Sequence, residues 1–75
     1  MSFQAYLDTI KSKTGLSPNE IRNLANEKGF ASDGKLNPEV KAAEIINWLK
    51  ADYDLGHGHS MAIVALLKGH KKEGE

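Results

Sequence analysis

The chain has 75 residues, of which 40% are hydrophobic, 27% are charged and none is cysteine. This composition predicts one small globular domain of limited stability and excludes disulfides and thiolate metal sites. The formal net charge is +0, which argues against a partner that is recognised by bulk charge alone.

Nothing in the hydropathy pattern indicates a membrane protein. The longest apolar run, residues 61–67 (MAIVALL), is far shorter than the ~20 residues of a membrane-spanning helix. The opening stretch MSFQAYLDTI has no basic region followed by an apolar core, so it does not resemble a secretion signal. We therefore expect a cytoplasmic protein without membrane contact.

The first two helices are predicted from apolar spacing and capping signals. Apolar residues recur at i, i+3, i+4 and i+7 over residues 3–13, with Ser2 as the cap and Gly15 as the end. The segment LSPNEI then predicts a capping box: Ser17 caps the second helix, Pro18 takes its first position, and Glu20 lies three residues after the cap. This helix is expected to end at Gly29.

The middle of the chain predicts a surface loop followed by a third helix. Residues 30–39 (FASDGKLNPE) contain no strand pattern, and Asp33-Gly34 marks a turn. The third helix begins between residues 38 and 41 and continues to about Tyr53. Trp48 lies at the edge of its apolar stripe, so we expect a partly buried ring whose indole nitrogen bonds water or a carbonyl.

The fourth helix is expected from Gly58 or His59 to Lys68, with Gly69 closing it. Its run MAIVALL is apolar on all sides, which is typical either of a central helix or of one that offers a spare face to a partner. Residues 70–75 read as a polar, frayed tail outside a domain of residues 1–69. The predicted fold is all-α: a compact four-helix domain whose third and fourth helices form a hairpin through a Gly-His-Gly turn.

That turn, residues 55–60 (LGHGHS), is the candidate functional site, and several interpretations of it are open. In the simplest, Gly56 ends the third helix, glycine supplies the positive φ of a tight turn, and the histidines are solvated. In a second, His57 and His59 bind a metal ion with an aspartate, although two helical residues so spaced point about 200° apart. Asp54, His57 and Ser60 do not secure the geometry of a catalytic triad, so we expect no enzyme activity and no cofactor.

A third interpretation comes from resemblance. The pattern LGHGHSMA, residues 55–62, is similar to the hairpin of helix-hairpin-helix DNA-binding modules. It departs from them in two ways: His57 stands where those have an apolar residue, and Asp52 and Asp54 beside the turn repel phosphate. The resemblance implies that backbone amides at the turn contact phosphate and that Ala62 lets the two helices approach closely. The residues it nominates for binding phosphate or another partner are Gly56, His57, Gly58, His59, Ser60, Lys68, Lys71 and Lys72.

The whole chain also resembles a small bacterial family of domains of unknown function. The resemblance rests on MSFQAYLDTI, KAAEIINWLK and above all LGHGHSMAIVALLKG, and it covers residues 1–69. It implies an all-helical domain in a bacterial cytosol and assigns no activity.

Our leading hypothesis is a non-enzymatic module that contacts phosphate, such as the nucleic-acid backbone, through residues 55–60 and the start of the fourth helix. The alternative is a protein-interaction or homodimerisation domain that uses apolar surface on the fourth helix, with Trp48 as a second contact. A small histidine metal binder is the third hypothesis. A monomer or a weak homodimer is expected in each case.

Overall fold

Four helices and one short β-hairpin make up residues 2–74, the part of the chain that the computed structural model describes. In chain order the elements are α1 (Phe3–Thr14), α2 (Pro18–Glu27), β1 (Ala31–Ser32), β2 (Lys35–Leu36), α3 (Ala42–Tyr53) and α4 (His57–Lys68). The predicted four-helix fold is confirmed, although the short sheet makes it mainly rather than entirely α. Helix α3 begins at Ala42, one residue after the expected range, and α4 begins at His57, one residue before the expected Gly58 or His59.

The capping signals act as the sequence indicated. The Ser17 hydroxyl accepts a hydrogen bond from the Glu20 amide at 3.2 Å, and the Glu20 carboxylate accepts one from the Ser17 amide at 3.0 Å. The hydrogen bond from the Ser17 amide, and secondarily the nearby Ser17 hydroxyl, hold the pKa of the Glu20 carboxyl below its usual value. Ser2 caps α1 in the same way by accepting from the Ala5 amide.

The loop between α2 and α3 contains a two-stranded antiparallel sheet, so the expectation that it has no strand is wrong. Ala31 pairs with Leu36, and Ser32 pairs with Lys35. The predicted turn connects them: Asp33 and Gly34 have φ angles of 53° and 78°, the positive pair that a tight type I′ hairpin requires. Strands of two residues are too short to show the alternation by which a strand is recognised in a sequence.

Helix α4 is the central helix of the domain. It packs against α3, α1 and β2, and its contact with α3 confirms the predicted pairing of the third and fourth helices. Its buried residues are Ser60, Ala62, Ile63, Val64, Leu66 and Leu67. The all-round apolar character of MAIVALL is therefore explained by neighbours on several sides.

Trp48 is more deeply buried than predicted. Only 7% of its surface is exposed, and its ring contacts those of Phe30 and Tyr53, at centroid distances of 5.6 and 6.3 Å. The indole nitrogen is buried, and among residues 2–74 it has no hydrogen-bond partner, so no carbonyl of the described chain accepts from it. The ring is covered because Phe30, from the loop after α2, closes over the edge of the α3 stripe.

Candidate functional site

The turn between α3 and α4 is built differently from the simplest interpretation of its sequence. Asp54 ends α3 in the left-handed conformation, with φ at 55°. Its amide donates to the Lys50 carbonyl at 3.1 Å, and the next amide, of Leu55, donates to the Leu49 carbonyl at 3.3 Å. The expectation that Gly56 ends α3 is wrong, because aspartate tolerates the left-handed region better than most residues and fills the role first.

Gly56 instead begins α4, in an extended conformation with φ −69° and ψ 166°. Ser2 and Ser17 cap their helices at nearly the same angles, −76° and 161° and −75° and 163°. Each serine accepts a hydrogen bond from the amide three residues on. Gly56 has no side chain to do so, and the first turn of α4 contains no acidic residue. Within residues 2–74, the early amides of α4 therefore have no side-chain acceptor.

The two glycines keep this end of α4 uncovered. Gly56, His57 and Gly58 are all exposed, and a Cβ placed on either glycine would meet nothing within 4 Å. Neither glycine has a positive φ, so the expectation that the turn needs their conformational freedom is wrong. They leave the backbone of the first turn of α4 without a side chain at positions 56 and 58, at the positive end of the helix dipole.

Two carboxylates lie near this positive helix end. Asp54 is exposed at the junction, and Asp52 is exposed two residues earlier, where its carboxylate lies 3.7 Å from the Lys28 ammonium group. Lys28 offsets part of the Asp52 charge, and no comparable ion pair of Asp54 is present among the described residues. Asp54 is thus the main local charge that opposes an anion at the turn.

The two histidines of the turn have different environments. His57 is exposed, whereas His59 is half-buried and its ring meets that of Tyr6 edge to face at 5.3 Å. The His59 Nε2 atom is buried without a hydrogen-bond partner in the described part of the chain. Both residues belong to α4, so their side chains diverge by about 200°. Residues 2–74 contain no group of three or more histidine, cysteine or acidic side chains placed to hold a metal ion.

The remaining nominated residues do not gather at the turn. Ser60 is fully buried, and its hydroxyl has no hydrogen-bond partner among the described residues, so it faces the core. Lys68, Lys71 and Lys72 are exposed but lie at or beyond the other end of α4, with Lys68 about 16 Å from His57 along the helix axis. The structure thus brings together the backbone of residues 56–59 and separates it from the lysines.

Sequence reasoning missed two features of this site for different reasons. The role of Asp54 had a local signal, since aspartate before a buried leucine can end a helix in the left-handed region. The contact of His59 with Tyr6 had none, because the two residues come from helices far apart in the chain and meet only through packing.

The comparisons with known proteins place the chain in a family. A family model described as a domain of unknown function (DUF4287) matches residues 2–69, and the chain belongs to that family. This confirms the expectation that the chain belongs to a family of domains of unknown function. No curated protein and no solved structure matches the chain. Within residues 2–74, no helix has the length and apolar character needed to cross a bilayer.

Proposed function

We propose that this domain binds phosphate groups through the turn of residues 55–60 and the first turn of α4. One observation carries the proposal: Gly56 holds the backbone conformation in which Ser2 and Ser17 cap their helices, yet it provides no capping oxygen. An anion at this place would accept from amides that have no side-chain acceptor and would lie at the positive end of the α4 dipole.

An extended polyanion suits the surface better than a single phosphate ion. Lys68 is too far from the turn, at about 16 Å along α4, to share one phosphate with it. One strand of duplex DNA carries a phosphate about every 3.4 Å along its axis, so a short duplex can span both places. The ligand class that we propose is therefore a nucleic-acid backbone, held by the amides at one end of α4 and by Lys68 and Lys71 at the other.

The role is proposed to be binding without catalysis. No ligand-sized cavity is present among residues 2–74, and the buried Ser60 hydroxyl makes no hydrogen bond with a histidine there. A nucleophile without a base and without a substrate pocket lacks the requirements of covalent catalysis.

The alternative function is self-association through α4, and little exposed apolar surface on α4 supports it. Among the described residues, Met61 is the one large hydrophobic side chain that is exposed, at 41%. A single side chain provides far less apolar area than the roughly 800 Å² per partner of a standard interface. Sedimentation at high protein concentration tests this alternative, and a dimer that Met61→Gln dissociates would favour it over the phosphate proposal.

The decisive experiment compares two substitutions of Gly56. In Gly56→Ser the introduced hydroxyl can accept from the His59 amide, as Ser2 and Ser17 do in α1 and α2, and so compete with an anion. Gly56→Ala adds a side chain of nearly the same size that cannot cap. Neither Cβ meets a neighbouring atom within 4 Å, so both variants are expected to fold.

Binding is followed by the amide chemical shifts of residues 57–59 during titration with a short DNA duplex and, separately, with inorganic phosphate. The wild type should bind the duplex at low salt and weaken as salt rises. Gly56→Ser should weaken binding more than Gly56→Ala, and Lys68→Ala should weaken duplex binding without changing the response to phosphate. If the amides of residues 57–59 do not shift with either ligand at low salt, the proposal is wrong.

A further inference from the structure

A second feature, unrelated to the turn, is the segment that follows α4. Gly69 ends α4 with φ at 79°, and residues 70–74, here called the clasp segment, return to the body of the domain. The Glu73 carboxylate accepts two hydrogen bonds from Arg22 of α2, at 2.9 Å from Nη1 and 2.6 Å from Nη2. The Gly74 amide donates to Oε1 of Gln4 in α1 at 2.8 Å.

The guanidinium group that receives Glu73 is held in place by its own surroundings. Arg22 Nη1 also donates to the Asn19 side-chain oxygen at 3.0 Å. Its aliphatic stem lies along the hairpin turn, where a Cβ on Gly34 would be only 3.3 Å from the Arg22 Cδ atom. A guanidinium group fixed in this way loses little conformational entropy when it binds a carboxylate through two parallel hydrogen bonds.

Gln4 is oriented in a similar manner. Its side-chain nitrogen donates to the Asp8 carboxylate at 2.9 Å, which leaves the amide oxygen to accept from Gly74. Both side chains that receive the clasp segment are therefore positioned by neighbours on their own helices.

The clasp segment has no apolar anchor of its own. Residues 70–74 are all exposed and include no hydrophobic side chain, so polar contacts hold the segment, among them those of Glu73 with Arg22 and of Gly74 with Gln4. The segment can then open locally without disturbing the core. The extensive contacts of α1 are with α4, and those of α2 are with β1, so a segment bonded to both α1 and α2 adds a link between them.

We infer that residues 70–74 are a clasp that closes across α1 and α2 through Glu73–Arg22 and Gly74–Gln4, and that opens when the Glu73 charge is removed or screened. The structure describes the closed state of residues 70–74. The Arg22 guanidinium also lowers the pKa of the Glu73 carboxyl from 4.5 to about 2. Acid therefore opens the clasp only as the pH falls below the usual carboxylate range.

The test measures the closed state in the whole chain by NMR. The carboxyl carbon of Glu73 should titrate well below 4.5, and the Gly74 amide should exchange with solvent more slowly than an unprotected glycine. Glu73→Gln removes the charge, and Arg22→Lys keeps an aliphatic stem against Gly34 but cannot make the bidentate pair. Each should speed Gly74 exchange by up to about fivefold, the limit expected of a partly exposed ion pair.

Glu39→Gln is the matched control, because Glu39 is exposed on the loop before α3 and the charge change is the same. It should leave Gly74 exchange unchanged, and amides of the buried Leu49 and Ile63 should not respond to any of the three variants. A Glu73 carboxyl that titrates at its ordinary value, or a Gly74 exchange rate that Glu73→Gln leaves unchanged at neutral pH, would overturn the inference.

Discussion

Substituting the buried Ser60 with alanine should stabilise the domain. Ser60 is fully buried in α4, and its hydroxyl has no hydrogen-bond partner among the described residues. A buried polar group in this state costs about 1–3 kcal/mol. Alanine adds about 0.5 kcal/mol of helix propensity, and the void left by one oxygen atom subtracts about 0.4 kcal/mol. The expected gain in the free energy of unfolding is therefore about 1–3 kcal/mol.

The assay is urea unfolding followed by circular dichroism, together with a thermal melt. Each kcal/mol raises the midpoint of a domain this small by about 4–8 °C. Ser12→Ala is the matched control, because Ser12 is exposed in α1 and its substitution changes helix propensity alone. If Ser60→Ala is no more stabilising than Ser12→Ala, the Ser60 hydroxyl is hydrogen-bonded in solution and the reasoning is wrong.

Three further predictions concern the termination of α3, the core and the response to acid. Asp54→Gly should stabilise the domain by about 0.5 kcal/mol in urea unfolding. Glycine adopts φ 55° without strain, and the substitution removes a carboxylate from the negative end of the α3 dipole. A loss of stability would contradict this prediction. Ile63→Ala should cost about 2–5 kcal/mol in the same assay, because the side chain is 0% exposed on the central helix, and a loss below 1 kcal/mol would mean that α4 is less enclosed than described. The folded-state pKa values of Glu20 and Glu73 are lowered, so both carboxylates contribute stability above their unfolded-state pKa of about 4.5. This stability is lost as the pH falls through the lowered pKa of each group, which for Glu73 is about 2. Urea midpoints measured over that range should decline less steeply in Glu73→Gln than in the wild type, and equal slopes would exclude a contribution from Glu73.

The start of α2 is the element that the sequence predicts most completely. Its capping box lies within four consecutive residues, Ser17 to Glu20, so no distant contact is needed to recognise it. The turn at Asp33-Gly34 is local in the same sense. The strand pairing around it is not, because the Asn37 amide must reach the Phe30 carbonyl and the Asn26 side chain must accept from the Gly34 amide.

The same distinction between local signals and long-range contacts applies to the candidate site. The absence of a side-chain cap at the start of α4 follows from the glycines of the motif LGHGHS, so this feature is legible in the sequence. The sequence does not show which polar residue in the first turn of α4 faces solvent. In the structure His57 is exposed, His59 lies against Tyr6, and Ser60 is inside the core. The three residues look equivalent in the sequence, and only the positions of α1 and α3 around α4 distinguish them.

The sequence by itself determined where the four helices lie, because apolar spacing, capping side chains and glycines act over a few residues. The tertiary structure alone decided how deeply Trp48 is buried, which residues of α4 are covered, and that Glu73 meets Arg22 across 51 positions of the chain. Such contacts depend on how whole helices pack, and packing joins residues whose separation in the chain carries no periodic signal.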